Sequence, residues 1–376
     1  MSGAQASARR AVAPGEAETP RVAKEAGIWR IRSLAAARQV LRARGQTTQA
    51  GFTAEQIPKG HFRHHPILIS DGPLHDEQRR KVGRFFAADV VSQRYLASME
   101  ECAERLLEEA AVAGRVRLDD LALNYAVEVT AGIVGLTHAP VPAMSGRLVR
   151  FFNQPPLDRS RADLGRTPWQ WAKAAVNGLM PIVAFYVADV RPAIRARRRE
   201  PADDVISHLI EQGYSNADIL VECVTYGTAG MVTTREFIAM AGWHLLTNPG
   251  LADRYQEAGI DERLAILHEL IRLEPVVGHL YRRTQCVRQA NADPEAVGLD
   301  PLTACPGRDL PAGLNATGLS FGDGAHRCPG QPLAMYETDV LLTRLLRLRP
   351  RVLREPTITW DHLIEGYQLR GLDLAL

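Results

Sequence analysis

Apolar residues recur three and four apart along most of this chain. That spacing predicts helices over 92–112, 119–136, 174–199, 203–211, 217–247, 261–274 and 333–347. Breaks fall at Pro140, Pro142, Pro155, Pro156, Pro249, Pro275 and Pro350, where a ring without an N–H interrupts a helix. Alternation is confined to the ends. Residues 27–32, with Ile28, Trp29 and Ile31, predict a short strand, and 351–376 predict several small ones. Ser33 is placed to cap a helix over 34–44. The 217–247 segment is apolar nearly all round, as a buried helix is, and Ser215-Asn-Ala-Asp218 ahead of it is a capping box. Residues 45–70, rich in Gly, Gln, Thr and His, predict a long loop of the kind that usually serves function. Residues 1–25 predict a disordered tail. No internal repeat or interdomain linker appears. The expectation is a mainly α fold with minor β, one domain over 26–376.

Composition narrows the class. The 376 residues are 46% hydrophobic and 23% charged, as in globular chains, and a net charge of +2 makes no case for nucleic-acid binding. The cysteines, Cys102, Cys223, Cys286, Cys305 and Cys328, are odd in number and lack CxxC spacing. That argues against structural zinc and a disulfide framework and fits a reducing cytosol. The N-terminus lacks the apolar core of a signal peptide, and no uninterrupted apolar run reaches the length of a membrane span. A soluble, cytoplasmic protein without a membrane anchor is expected.

The chemistry gathers around one cysteine. In Phe321-Gly-Asp-Gly-Ala-His-Arg-Cys328-Pro-Gly330, Cys328 lies in a turn bracketed by Gly324 and Gly330, and a helix-like run follows directly. Glycines allow close backbone approach to a flat group. A helix N-terminus turns amides toward the sulfur and favours the thiolate, which is the metal-binding form. Elsewhere Glu269 and Arg272 share a helix face at i,i+3, and His75 and Arg79 share one at i,i+4.

The segment from Phe321 to Glu337 resembles the haem-ligand loop of the cytochrome P450 family, FxxGxHxCxGxxLAxxE. Phe321, Gly324, His326, Cys328, Gly330, Leu333, Ala334 and Glu337 fill every fixed position. The resemblance implies a cytochrome P450-like single domain of the soluble bacterial type. It implies haem b with iron ligated by Cys328, in a loop that includes Phe321, Gly322, His326 and Gly330. Glu269 and Arg272 resemble the structural ExxR pair, with Arg308 as a candidate third member. His75, Arg79, Arg282 (or its neighbour Arg283) and His326 would hold the haem propionates, since two carboxylates at a partly buried edge need charge-assisted partners. Ala229-Gly230-Met231-Val232-Thr233-Thr234 resembles the family's oxygen-site motif. Ala229 and Gly230 would open the groove, and Thr233 would hold the water that delivers protons.

The resemblance further implies a monooxygenase acting on an apolar or aromatic natural-product scaffold, as in secondary-metabolite biosynthesis. It would use O2 and electrons from NAD(P)H through a ferredoxin reductase and a ferredoxin, with no nucleic-acid or membrane partner. Its basic docking face would draw on Arg80, Lys81, Arg84, Arg344, Arg347 and Arg349, a face that is equally compatible with plain solvation. The pocket would use the 45–70 loop, the 151–180 region, Met231, Val232, Val277, His279 and Tyr367. Phe151, Phe152, Trp169 and Trp171 are candidates for an aromatic lining.

Departures from the pattern leave the reaction open. Val232 stands where the family has an acid, and valine relays no proton. Glu236, one turn beyond Thr233, is a candidate substitute. Alternatively the substrate organises the water, or the chemistry is an atypical oxidation such as oxidative coupling or a peroxide-driven reaction. Pro329 removes an amide donor beside the sulfur. The 284–320 segment is short for the family. Such trimming also fits an inactive auxiliary partner protein, although the ligand cysteine is intact.

Overall fold

A computed structural model describes residues 20–25, 28–50, 66–155, 165–283, 285–288, 304–308, 310 and 315–376. Near the N-terminus β1 (Val22–Glu25) and β2 (Ile28–Ile31) pair antiparallel. Residues 22–25, expected in a disordered tail, therefore belong to a sheet; residues 1–19 lie outside the described residues. α1 (Leu34–Arg42) follows, and β3 (Thr48–Gln49) and a single helical turn (Ile67–Ile69) fall in the expected 45–70 loop, of which 51–65 lie outside the described residues. With β5 (His279–Arg283) and β6 (Gln285–Arg288) these strands form a five-stranded sheet of order β1-β2-β6-β5-β3.

The helical body begins with α2 (Gly72–Gly83) and α3 (Leu96–Ala113). After β4 (Arg115–Arg117) come α4 (Leu118–Val134) and α5 (Val141–Phe152). α6 spans Pro168–Arg199 and α7 spans Val205–Glu211. The central helix, α8, runs Asn216–Tyr226, Gly227–Val232 and Thr233–Thr247 without a break. α9 (Pro249–Glu257), α10 (Ile260–Leu273) and α11 (Gln331–Arg347) complete it. β7 (Arg351–Arg354), β8 (Thr357–Asp361), β9 (Gly366–Arg370) and β10 (Asp373–Ala375) form two small sheets, β4-β10-β7 and β8-β9.

Local chemistry explains most boundaries. Ser215 Oγ accepts from the Asp218 amide at 3.2 Å, and Asp218 returns the bond from the Ser215 amide at 3.3 Å, so α8 starts where its capping box lies. Thr167 and Gln170 form a second box at the head of α6, which begins six residues before the expected start. α5 and α9 were not expected from the apolar spacing. Pro142 and Pro249 sit in their first turns, where the missing N–H costs nothing, so these prolines open helices rather than break them.

α8 threads the centre, packed by α4 on one side and by α10 and α11 on another. Trp243, Tyr125, Tyr255, Phe85, Phe185 and Phe237 are fully buried around it. Some of the polar groups inside are paired across helices. Asp339 on α11 accepts from Tyr255 Oη at 2.7 Å and from two nitrogens of Arg263 at 2.7 and 3.0 Å, tying α9, α10 and α11 together. One helix among the described residues, Pro168–Arg199, is long and apolar enough by length and composition to cross a membrane. Gln170, Lys173 and Asn177 interrupt it, so the expectation that no uninterrupted apolar run reaches that length stands.

Candidate active site

The cysteine loop is held from three sides. Gly324 has φ +69, and an added Cβ would lie 2.4 Å from the Leu41 carbonyl oxygen, so only glycine fits against the end of α1. Asp323 accepts from the Gly324 amide at 2.7 Å and pairs with Arg38 at 3.1 Å and Arg42 at 3.0 Å. Ser320 Oγ donates to the Ile271 carbonyl at 2.6 Å, fastening the loop to α10. Phe321 O accepts the Cys328 amide at 2.8 Å, closing the turn. Gly322, at φ +71, supplies the left-handed backbone in between. Gly330 is less demanding: its added Cβ would make an ordinary contact, 3.8 Å from Cys328 Sγ.

α11 starts at Gln331, directly after this turn. Burial raises the Cys328 thiol above its ordinary pKa. The Gly330 amide, the Arg79 guanidinium and the Gln331 amide pull the other way and favour the thiolate. A half-buried sulfur on a helix N-terminus with a guanidinium nearby is built to hold negative charge or a cation.

Beside it four basic side chains converge. The His75 and His326 rings have centroids 4.1 Å apart. His326 Nε2 lies 3.1 Å from Asp71 Oδ1, and the Gln49 amide donates to Asp71 Oδ2 at 2.9 Å. Arg282, opposite Gln49 in the β3–β5 ladder, donates to the Gln49 side chain and to its neighbour's carbonyl at 2.8 Å. Arg79 Nη2 donates to the Arg327 carbonyl at 2.6 Å. Burial lowers the pKa of all four. His326 falls to about 4, from burial first and then from His75, with Asp71 opposing. Asp71 and Asp76 are the carboxylates that oppose these shifts, and Asp76 is itself shared with Arg44. Such a cluster, four basic side chains against two carboxylates and partly withdrawn from water, fits a ligand that brings carboxylates of its own. Together with the cysteine socket, the donor set fits a haem with two propionates.

One segment of α8 is irregular. Residues 227–232 form wide i→i+5 turns within an otherwise α-helical run, a distortion often found at functional sites. Threonines bond back along the helix on both sides: Thr225 Oγ1 to Val221 O at 3.0 Å, Thr228 Oγ1 to Val224 O at 2.8 Å and Thr233 Oγ1 to Ala229 O at 2.6 Å. Such back-bonding loosens and bends a helix. Ala229 is exposed and Gly230 and Thr233 half-buried, an open stripe in a helix that is mostly buried. The expected groove residues therefore share one opening.

Other expected residues face elsewhere. Met231 and Val232 are 0% and 2% exposed and pack in the core, because the wide turns direct 229 and 233, not 231 and 232, to the opening. They are corrected from pocket to core. Glu236 is not aimed at the groove either. Arg370 grips both its oxygens at 2.7 Å, and Arg235 Nε adds a bond at 2.9 Å. His279 is buried with Nδ1 2.5 Å from Glu365 Oε2, and Tyr281 Oη also donates to Glu365, so the ring is engaged with its own strand neighbourhood. Tyr367 packs edge-on against Trp360 at 5.0 Å. Val277, half-buried, adjoins the point where Gly366 meets the Val276 carbonyl so closely that an added Cβ would lie 2.0 Å from it. The two strand turns thus form one wall.

Glu269 accepts from Arg272 through two bonds, 2.7 and 2.8 Å, and also from Arg308 Nε at 3.2 Å and the Cys305 amide at 3.0 Å. Arg308 is therefore the third member of this network. Glu337, the final motif residue, is fully buried on α11, and burial raises its carboxyl well above the ordinary range.

A shallow dimple with an interior of about 10 Å³, room for no more than a water, lies between α5, α6 and α8, lined by Leu148, Phe151, Ile182, Phe185, Val224 and Thr228 among others. Phe151 was expected there. Phe152 packs on the core, Trp171 covers Arg166 at 5.0 Å, and Trp169 points outward. Val224 and Thr228, four apart on α8 and so on one face, were not named from the sequence.

No family model matches the chain. Curated relatives do. Cytochrome P450 130 of Mycobacterium tuberculosis is 27% identical over 338 residues, 79% of this chain and 74% of the relative. Cytochrome P450 105C1 of a Streptomyces species is 27% identical over 345 residues, 86% and 82%. The mycinamicin IV hydroxylase/epoxidase of Micromonospora griseorubida is 26% identical over 336 residues, 81% and 77%. Among solved structures, a mutant of P450 EryK in complex with erythromycin B superposes with TM-score 0.77 at 22% identity, covering 95% of this chain and 93% of that one. CalO2 gives 0.75 at 23%, covering 94% and 92%. The structural likenesses establish the fold. Together with the cysteine socket and the curated relatives, they place the protein among the haem-thiolate oxidoreductases. The chain is similar to the cytochrome P450s over most of its length and has their fold; members of that enzyme class carry haem on a cysteine thiolate.

Proposed function

We propose that this protein is a cytochrome P450 that inserts one atom of O2 into an apolar or aromatic small molecule of natural-product type, with electrons from NAD(P)H delivered by a ferredoxin reductase and a ferredoxin. The observation that carries the reading is the alignment of a half-buried cysteine on a helix N-terminus with a carboxylate-seeking basic cluster and an opened helix turn. Relatives named for a hydroxylase/epoxidase of mycinamicin IV and for a complex with erythromycin B support a bulky natural product as substrate.

In this reading the bound haem, ligated by the Cys328 thiolate, supplies the activation of dioxygen. The chain's own residues do the rest. The Gly330 and Gln331 amides and Arg79 stabilise the sulfur as an anion. His75, Arg79, Arg282 and His326 bind the two propionates and relieve the excess of basic groups among them. Phe321, Gly322 and Gly330 shape the loop for close approach. Ala229 and Gly230 keep side chains out of the groove. Thr233 donates its proton to the Ala229 carbonyl, so its oxygen remains free to accept from a water. Arg80, Arg347 and Arg349 are exposed and available to an acidic donor protein, whereas Arg344 is paired with Glu100 and Glu104 and Lys81 with Glu77.

A second reading is favoured by the missing acid. Val232 is buried and Glu236 is gripped by Arg370, so neither moves a proton at the groove. An oxidation that needs less proton delivery, such as oxidative coupling or a peroxide-driven reaction, follows from that. Product mass decides between them. A gain of one oxygen supports monooxygenation, and loss of two hydrogens supports coupling. Substrates are found by titrating macrolide-sized and aromatic metabolites against the haem-loaded protein and following the shift of the ferric Soret band.

A further inference from the structure

The outer face of α6 carries an apolar stripe with no partner among the described residues. Trp169, Val176, Leu179, Met180, Val183 and Val187 are between 46% and 77% exposed. Trp169, Val176, Met180, Val183 and Val187 follow one another at three-, four- and seven-residue intervals, the seam spacing of paired helices, and Leu179 flanks them. Between 168 and 187 the helix has one charged residue, Lys173. Its inner face is already committed, with Pro181, Ile182 and Phe185 lining the dimple.

Reflecting the exposed positions through Gly178 exchanges 169 with 187, 172 with 184, 173 with 183 and 176 with 180, and all of these are exposed. An isologous two-fold interface has this property, because residue i meets j while j meets i. The midpoint is a glycine that its own fold does not require, since an added Cβ would find only Gln154 Nε2 at 3.9 Å. A bare Cα there lets a second helix approach closely.

We propose that the protein forms a two-fold dimer in which α6 packs antiparallel against α6 of a second copy, crossing at Gly178. The stripe offers roughly 600 Å² per copy, so about 1,200 Å² in total, which reaches the lower bound for a stable interface. An acidic protein partner is disfavoured by the near absence of charge on the stripe. A lipid surface has no use for the reversal symmetry, and the exposed Arg191, Arg195, Arg198 and Arg199 extend from one end only. The inference does not depend on the substrate or the reaction. Its consequence is that the same helix is held from outside by the partner and forms the dimple wall inside.

The test is sedimentation of the full-length, haem-loaded protein at micromolar concentration, compared with a Val176→Glu/Met180→Glu variant. A wild-type dimer is expected. The variant should associate at least tenfold more weakly, with unchanged circular dichroism and haem spectrum. A monomeric wild type, or a dimer untouched by the two glutamates, overturns the proposal. Register is read from cysteines placed on a Cys305→Ser background. Gly178→Cys should oxidise to a covalent dimer by itself. Trp169→Cys should not do so alone but should cross-link when mixed with Val187→Cys; equal cross-linking at every position contradicts the register. A wild type that is monomeric alone but sediments with anionic phospholipid vesicles also overturns the proposal, in favour of a lipid surface.

Discussion

Glu222 on α8 carries a carboxyl that burial raises from 4.5 to about 7, opposed by the Ile67 amide, which donates to it at 3.4 Å, and by Tyr226. Asp218, Cys223 and Tyr214 are the other titratable groups around it, and none brings positive charge. The folded state therefore holds a proton that the unfolded chain releases. Stability from this group is full below pH 4.5 and is lost as pH rises toward 7, a change of about 3 kcal/mol. Glu222→Gln keeps the Ile67 bond without the titration. It is expected to unfold at higher denaturant than wild type at pH 8 and to match it at pH 4.5. Equal stability of the two at pH 8 would contradict the assignment. The Glu269–Arg272 pair behaves differently, because truncating one partner strands a buried charge. Arg272→Ala is expected to cost about 3–5 kcal/mol in denaturant unfolding. At this scale the sequence was legible where the chemistry is local. The cysteine loop is found by its local motif, and the ExxR pair and Arg308 through the family resemblance that motif carries. Glu236 and His279 were misread because their partners, Arg370 and Glu365, lie about 130 and 90 residues away in the chain.

α8 shows what periodicity can and cannot give. Its length, its start at Ser215 and its end at Pro249 follow from capping and proline chemistry, and the structure agrees. The wide turns at 227–232 do not follow. They reflect backbone carbonyls shared with the hydroxyls of Thr225, Thr228 and Thr233, a choice that apolar spacing does not encode. Consequently Met231 and Val232 were assigned to the pocket. Their burial gives a clear expectation. Restoring the family's acid by Val232→Asp would place an unpaired carboxylate in the core, costing about 3 kcal/mol of stability. It should not raise turnover. Higher coupling of O2 consumption to product in that variant would show that position 232 does reach the groove. α5 and α9 were missed for the opposite reason, since helix-opening prolines were taken as breaks.

Across the whole molecule, the basic cluster is assembled from β3, the turn at Asp71, α2, β5 and the cysteine loop, positions from 49 to 326. Its membership was legible by resemblance, but the proximity of the groups and the scarcity of opposing anions were not, because both depend on how distant segments converge. Haem loading should relieve that imbalance. The His326 pKa, about 4 in the haem-free fold, is expected to rise when haem carboxylates arrive, measurable by NMR titration of the ring. Removal of haem should lower the melting temperature, since ligand at a hundred times its dissociation constant stabilises by about 2.7 kcal/mol. The central claim is that Cys328 binds the haem iron as a thiolate. The most direct measurement is the absorption spectrum of the reduced, carbon monoxide-bound protein, wild type beside Cys328→Ser. The account predicts the thiolate-type Soret band in the wild type and its loss in the variant, with the fold retained by circular dichroism. The same band in both proteins, or no haem uptake by the folded wild type, would contradict it.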